Sequence, residues 1–197
     1  MEYLRKDEPL TFSQKELEAA ILTLHDIPPE RHSAFSGRVR NFQKDKIISG
    51  SPGKGIRIRF SMLDAIAWAM AFEFSELGLA PTEIKLAMIY ALPLVFDAIL
   101  SEKEEPEDDM LFWINGDMLS QYLQRQTSNA SLSLKMGISA ASKISELFLE
   151  ARVDRALVVN VSSLWRRLNK ALVDIKPREL EAAPDLRLPE RSRKSQS

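Results

Sequence analysis

The residues of this 197-residue chain that are best suited to binding chemistry are cations concentrated between Glu30 and Arg59. The segment contains eight Lys and Arg residues against two acids, Glu30 and Asp45, which gives a local charge of +6 in a chain whose net charge is −1. Clustered positive charge on a helix and a neighbouring loop is typical of proteins that bind the phosphates of nucleic acids. The alternative interpretation is a basic helix face that is merely solvated.

Other kinds of functional site find little support. The chain has no Cys and two His residues, His25 and His32, so it lacks the ligand spacing of a metal site and offers little for acid–base catalysis. The Gly-Lys-Gly segment at 53–55 lacks the spacing and the Ser or Thr of a phosphate-binding loop. The carboxylates at 104–109 fall in an expected loop without partners. We therefore predict no enzymatic activity, no cofactor and no metal.

The sequence shows no targeting or membrane segment. The first eight residues are charged throughout and do not resemble a signal peptide. The longest apolar-rich run, Leu86 to Leu100, is interrupted by Pro93 and Asp97 and is shorter than the roughly 20 residues that a bilayer span needs. We expect a cytoplasmic, nucleoid-associated protein without a membrane partner.

Two helices are expected before the basic hairpin. Ser13 begins a capping-box pattern, so the first helix should begin there and end before two consecutive prolines. The second should span about 29–44, and Gly37 within it marks either close packing or a break between two short helices. Its apolar residues lie three and four positions apart and share one face: Phe35, Val39 and Phe42.

A Gly-rich basic hairpin over 49–60 and two more helices should follow. The second strand of the hairpin alternates apolar and cationic residues, which predicts one inward and one outward face. Ser61 should cap the third helix, and Gly78 should end it. This helix should be covered on two sides. The fourth should begin at Pro81 and be kinked or split at Pro93.

The C-terminal half shows a different pattern, that of a small α+β unit with about three strands. The strands are predicted at 110–114, 131–136 and 156–161. Helices are predicted at 138–150 and after a cap at Ser162 or Ser163. The two aromatic residues Trp113 and Trp165 are expected to pack in the core.

Three motifs of the N-terminal half occur in a fixed order. They are Arg-Val-Arg-Asn-Phe-Gln-Lys-Asp-Lys-Ile-Ile at 38–48, Phe-Ser-Met-Leu-Asp at 60–64 and Glu-Leu-Gly-Leu-Ala-Pro-Thr-Glu-Ile at 76–84. Together they resemble the winged-helix DNA-binding domain of MerR-type transcription regulators over about residues 12–92. Lys46 stands where that family usually has a Gly, and no long heptad helix follows.

The resemblance implies a recognition helix in the major groove, a wing along the phosphates and a phosphate contact for Arg40. By position, Arg31, His32, Ser33 and Ser36 are the candidates to reach base edges. The wing cations should contact phosphate or the minor groove. The candidate DNA-binding residues are Arg31, His32, Ser33, Ser36, Arg38, Arg40, Lys44, Lys54, Arg57 and Arg59.

The expected fold class is therefore mainly α, with an N-terminal winged helix-turn-helix domain followed by a small α+β C-terminal domain. The predicted parts are a flexible N-terminus (1–10), the MerR-like domain (11–100), an acidic linker (101–109), a dimerisation or effector domain (110–175) and a disordered tail (176–197). The linker's minority interpretation is a segment that competes with DNA for the basic face.

The expected function is sequence-specific binding of double-stranded DNA by a transcription regulator. A homodimer is expected because two half-sites discriminate better than one small winged helix, and RNA polymerase is a further candidate partner. Two alternatives remain. One is a DNA-bending architectural or excisionase-like factor of a mobile element, and the other is a protein-interaction module that uses the basic face.

Overall fold

The computed structural model describes residues 11–50, 58–101, 108–115, 136–151 and 156–175. This part of the chain is mainly helical, with a small three-stranded antiparallel sheet in its C-terminal portion. The elements in chain order are α1 (Gln14–Leu24), α2 (His32–Lys44), α3 (Met62–Glu76), α4 (Pro81–Ser101), β1 (Met110–Asn115), β2 (Met136–Ala140), α5 (Ile144–Ala151), β3 (Ala156–Asn160) and α6 (Val161–Ile175). Short 3-10 turns, Pro29–Arg31 and Ala141–Lys143, precede α2 and α5.

Helix α1 begins with the predicted capping box. The backbone N–H of Ser13 donates to Glu16 Oε2 at 2.6 Å, and the Glu16 N–H donates to Ser13 Oγ at 3.3 Å. This satisfies two of the amide groups that a helix leaves free at its start. The expected apolar stripe is buried: Leu17, Ala20, Ile21 and Leu24. The chain leaves α1 through Asp26, whose φ of +48° is left-handed.

Helix α2 follows the prediction closely, and Phe35, Val39 and Phe42 are buried. Both interpretations of Gly37 were wrong. The helix runs unbroken through Gly37, and a Cβ atom added there would meet nothing within 4 Å. The chain leaves the helix through Lys46, whose φ is +57°.

The base of the predicted hairpin is held at both ends. On one side, Ser49 Oγ donates to Asp64 Oδ1 at 2.6 Å. Next to it, Gly50 has a φ of +135°, and a Cβ there would lie 2.2 Å from the buried amide Nε2 of Gln43, so only glycine fits. On the other side, Phe60 and Phe12 form an antiparallel bridge with two 2.8 Å hydrogen bonds.

Helix α3 is the centre of the fold. Ser61 caps it in a capping box with Asp64, as expected, and Gly78 follows its end with a φ of +86°. Trp68 and Phe72 are buried on one side of α3, and Met70 and Phe74 are buried on the opposite side, which confirms that α3 is covered from more than one side. Leu77 follows the end of the helix at Glu76 and is 47% exposed.

Helix α4 buries the predicted inner face, which includes Ile84, Ala87, Met88 and Ala91. The helix continues through Pro93 to Ser101, so the prediction that Pro93 splits it was wrong. The Pro93 ring lies on the solvent side.

The sheet has the strand order β2-β1-β3, and both pairings are antiparallel. The first and third predicted strands are confirmed, although Val161 already belongs to α6. The predicted helix at 138–150 was wrong at its start, because Ile138 pairs with Phe112 in the sheet and the helix begins only at Ile144. Of the strand predicted at 131–136, residues 131–135 lie outside the described residues. Trp113 is buried, and Trp165 is half-buried against the core.

Helix α6 buries Leu164, Leu168 and Leu172. Its cap is Asn160 rather than a serine, because Asn160 Oδ1 accepts the Ser163 N–H at 2.8 Å. The helix packs mainly against α1 and also contacts α3 and β1. One hydrophobic core therefore runs through the described residues, from Phe12 to Leu172.

The last two acids of the predicted linker have partners, contrary to the expectation. Asp108 accepts the Ser142 N–H at 2.8 Å, and Asp109 accepts from Asn160 Nδ2 at 2.8 Å and from Arg166 Nη2 at 2.7 Å. These hydrogen bonds lower the pKa of both carboxyls below the ordinary value. Linker residues 102–107, the terminus at 1–10 and the tail at 176–197 lie outside the described residues.

Candidate nucleic-acid interface

The outward face of α2 carries a line of polar and cationic positions. Ser33, Gly37, Arg40 and Lys44 are four, three and four residues apart, so they lie on the side of the helix opposite to the buried Phe35 stripe. Ser33, Arg40 and Lys44 are exposed. At a rise of 1.5 Å per residue the line is about 16 Å long. No acidic residue occurs within α2 itself. We call this line the α2 outward face.

Arg40 is the central cation of the α2 outward face. Its Nε donates to the Ser36 carbonyl, one turn earlier, at 3.2 Å. That contact uses one of the five N–H donors of the guanidinium and leaves it pointing along the helix surface. The side chain has no acidic partner in the described part of the chain. Arg40 is therefore positioned, exposed and free to accept an anionic partner.

Arg38 lies on a different side of α2. Its Nη1 is 3.1 Å from Glu76 Oε1 at the end of α3, in an ion pair whose two side chains are 46% and 58% exposed. Exposed pairs of this kind contribute little stability, about 0–1 kcal/mol. The pair nevertheless directs Arg38 toward α3, so the structure does not bring it together with Arg40.

The residues at the start of α2 divide in the same way. Ser33 is exposed on the α2 outward face, and Ser36 is half-buried. His32 is half-buried, and its Nε2 donates to the Ile27 carbonyl at 3.1 Å. This hydrogen bond holds the turn before α2 and directs one ring nitrogen of His32 toward the protein's own backbone. Arg31 is exposed and lines a cavity away from Arg40.

The predicted wing is only partly described, because Lys54 and Arg57 lie outside the described residues. Arg59 is exposed, and its Nη1 is 4.0 Å from Glu16 Oε2. Its neighbours Ile58 and Phe60 are half-buried and buried, so the expected alternation holds for these three residues. Glu16 also forms part of the α1 capping box, so Arg59 lies beside the start of α1.

A cleft that the sequence did not predict continues the basic surface beyond the end of α2. It has a volume of about 620 Å³, and three of its lining residues are the cations Lys44, Lys46 and Lys85. Asp45 is the acid among its lining residues. Lys85 belongs to the first turns of α4 and is 41 positions from Lys44 along the chain. Because the two lysines are so far apart along the chain, no local sequence pattern could reveal that they line one cleft.

A second cavity, of about 170 Å³, lies between the α1–α2 turn and α3. His25 faces it, and burial lowers the pKa of this imidazole, with Glu76 opposing the shift and Arg167 adding to it. On α3, burial raises the pKa of the Glu73 carboxyl, whose Oε1 is 4.0 Å from Arg167 Nη1. The cavity is small, and the Arg38–Glu76 pair lines it.

The described residues contain no group of three or more His, Cys, Asp or Glu side chains that could hold a metal ion. Within the same ranges, no helix is both long and apolar enough to cross a membrane. No known family model matches this sequence, and no curated protein is significantly similar to it.

Proposed function

We propose that this protein is a sequence-specific double-stranded DNA-binding transcription regulator that acts as a homodimer. The observation that carries the proposal is the α2 outward face, where the exposed side chains of Ser33, Arg40 and Lys44 form one line with Gly37, without an acid. Because each cation that neutralises a phosphate releases a counterion, such a line gains free energy on a duplex.

The dimensions of α2 suit the major groove, which is about 12 Å wide and admits one α-helix. Gly37 supports this docking. A mid-helix Gly costs up to about 1 kcal/mol relative to Ala, and the empty space around Gly37 shows that the protein's own packing does not require it. A missing side chain at the middle of an exposed face allows the backbone of a partner to approach closely.

The roles of the residues follow from their positions. Arg40, Lys44 and Lys46 contact phosphates, and Ser33 reaches a base edge near the start of the helix. The hairpin predicted over 49–60 acts as the wing. The two ends of this segment are fixed, Ser49 by its hydrogen bond to Asp64 and Phe60 by its bridge to Phe12.

The resemblance to MerR-type winged helices gains one supporting detail. That family usually has a Gly where this chain has Lys46, and Lys46 adopts the left-handed φ of +57° that Gly favours. A Lys in this conformation costs roughly 1–2 kcal/mol. The chain therefore keeps the backbone of the turn and adds a cation next to Lys44.

The test is DNA binding by the full chain, measured as fluorescence anisotropy on a random-sequence duplex of about 30 base pairs. Arg40→Ala should weaken binding by about tenfold and reduce the slope of log affinity against log salt by about one. Lys170→Ala, which removes an exposed cation from α6, is the matched control and should change neither quantity.

Specificity is tested by selecting duplexes from a random pool with the full chain. An enriched motif supports the proposal if the protein also changes transcription from a reporter template that carries the motif, and if that change depends on the salt concentration. Tight binding without any enriched motif, or an affinity that Arg40→Ala leaves unchanged, contradicts it.

A further inference from the structure

Helix α4 has two apolar faces. The inner face is part of the core and includes Ile84, Met88, Ala91 and Val95, each at most 3% exposed. The opposite side is solvent-exposed and equally apolar: Ile89 is 61% exposed, Tyr90 40% and Leu94 38%, with the exposed Pro93 between them. We call this side the α4 outward face.

An apolar outward face is unusual on a surface helix, which normally carries charged and polar residues opposite the core. In α4 no charged residue occurs from Leu86 to Phe96. Contiguous exposed apolar residues of this kind mark a surface that another molecule covers.

The charges at the two ends of the face indicate which molecule that is. Lys85, Ile89, Pro93 and Asp97 follow one another at four-residue intervals, so they form one ridge of the helix. The ridge has a cation at one end and an acid at the other. Both are exposed, and neither has an ion-pair partner among the residues that the structure describes.

This ridge is complementary to a reversed copy of itself. Measured along the helix axis, the position of Ala91 lies midway between Lys85 and Asp97, and also midway between Ile89 and Pro93. When two such helices cross antiparallel about a twofold axis at this midpoint, each Lys85 lies opposite Asp97 of the second copy, about 9 Å from the axis along each helix. The apolar residues then meet in the centre. A twofold interface requires this kind of self-complementary patch.

We propose that the α4 outward face is the interface between two copies of this chain, paired antiparallel through α4. The proposal deepens the homodimer of the proposed function, but it rests on the apolar face and its two terminal charges and can be measured without DNA. Lys85 also lines the cleft with Lys44. The interface therefore begins beside the end of α2 and would fix two copies of α2 about one axis.

The test is the mass of the full chain in solution, measured by sedimentation equilibrium over about a hundredfold range of concentration. The wild type should dimerise. Ile89→Asp should raise the dissociation constant by roughly a hundredfold, because it places two charges at the centre of the interface. Leu149→Asp, at an 81% exposed apolar position on α5, is the matched control and should leave the dimer intact. Circular dichroism confirms that each variant is folded.

The pairing itself is tested by charge reversal. Lys85→Asp and Asp97→Lys should each weaken the dimer several-fold, because like charges then face each other. The double variant restores opposite charges and should recover most of the affinity. No parallel or unrelated contact predicts that recovery.

Three outcomes overturn the inference: a wild type that stays monomeric throughout, a dimer that survives Ile89→Asp, or a double variant as weak as the two single ones. A monomer whose α4 outward face is protected from hydrogen exchange would mean that another segment of the same chain covers it. If the dimer survives Ile89→Asp while Arg40-dependent DNA binding persists, only this inference is lost. A wild type that stays monomeric but binds DNA also removes the homodimer from the proposed function. If the dimer forms but DNA binding fails, the proposed function is lost.

Discussion

Helices α2 and α4 are alike on the inside and opposite on the outside. Each buries one apolar stripe in the same core, represented by Phe42 and Met88. Outward, α2 presents Arg40 and Lys44, whereas α4 presents Ile89 and Leu94. The inner faces are set by the needs of folding. The outer faces contribute little to the core, so their difference in composition carries information about partners.

The physical basis of each outer face also differs. A cation in water is well solvated, and it gains free energy mainly when it displaces counterions from a polyanion. An exposed apolar side chain gains about 25 cal/mol for each Å² that a partner removes from water. Two helices of one small protein are thereby suited to two different partners, a duplex and a second copy of the chain.

The largest expected effect is a difference in salt dependence between DNA binding by the α2 outward face and dimerisation through the α4 outward face. If about six phosphates are neutralised, DNA affinity should fall roughly a thousandfold between 50 and 200 mM salt. The dimer's dissociation constant should change by less than about threefold, because apolar burial is insensitive to screening. Anisotropy and sedimentation in the same buffers give both quantities. Equal salt dependence of the two would remove the distinction between the faces.

A smaller effect is expected at Gly37, which has no counterpart on α4. Gly37→Ala should raise the free energy of unfolding by up to about 1 kcal/mol. The same change should weaken DNA binding by about tenfold, because a methyl group in a close contact costs roughly 1–3 kcal/mol. Urea denaturation and anisotropy measure the pair of changes. A variant that is more stable and binds DNA as tightly as the wild type would show that no partner approaches α2 at this position.

The smallest expected effect is the pH dependence of stability that arises from the partly buried His25. Burial lowers the pKa of its imidazole below the ordinary 6.5, so the unfolded chain binds this proton more readily than the folded chain. The contribution of His25 to stability is therefore present above pH 6.5 and is lost as pH falls toward the folded-state pKa. Glu76, Arg167 and Asp26 are the charged groups that act on it.

His25→Phe should make the free energy of unfolding less dependent on pH just below 6.5. The variant keeps an aromatic ring against Phe72, which His25 now faces at 6.0 Å, and it removes the ring nitrogen Nε2, which has no hydrogen-bond partner in the described part of the chain. Denaturation at several pH values measures the slope. A slope equal to that of the wild type would mean that another group causes the loss.

The sequence predicted those features that depend on residues close together along the chain. The capping boxes at Ser13 and Ser61 and the three- and four-residue spacing of apolar residues each involve a single turn of helix, so their geometry follows from the residue types. Arg40 and Lys44 were each predicted as DNA-binding residues. The line that they form opposite the buried stripe was not predicted, although it follows from the same helical spacing.

Features that depend on contacts between residues far apart along the chain could not be predicted from local sequence patterns. Ile138 reads as helical until its strand partner Phe112 is known. Arg38 reads as a free cation until Glu76 is placed beside it. One cleft is lined by both Lys44 and Lys85, although these residues are distant along the chain.

The guanidinium of Arg167, in α6, donates to the carbonyl of Leu24 at the end of α1. These two residues are 143 positions apart along the chain, and the apolar stripe of α1 packs against the same helix. During synthesis, the first helix therefore emerges from the ribosome long before its main neighbour exists. Its apolar side therefore stays exposed to water, or bound by a chaperone, until translation has passed residue 172. Long-range closure of this kind slows folding.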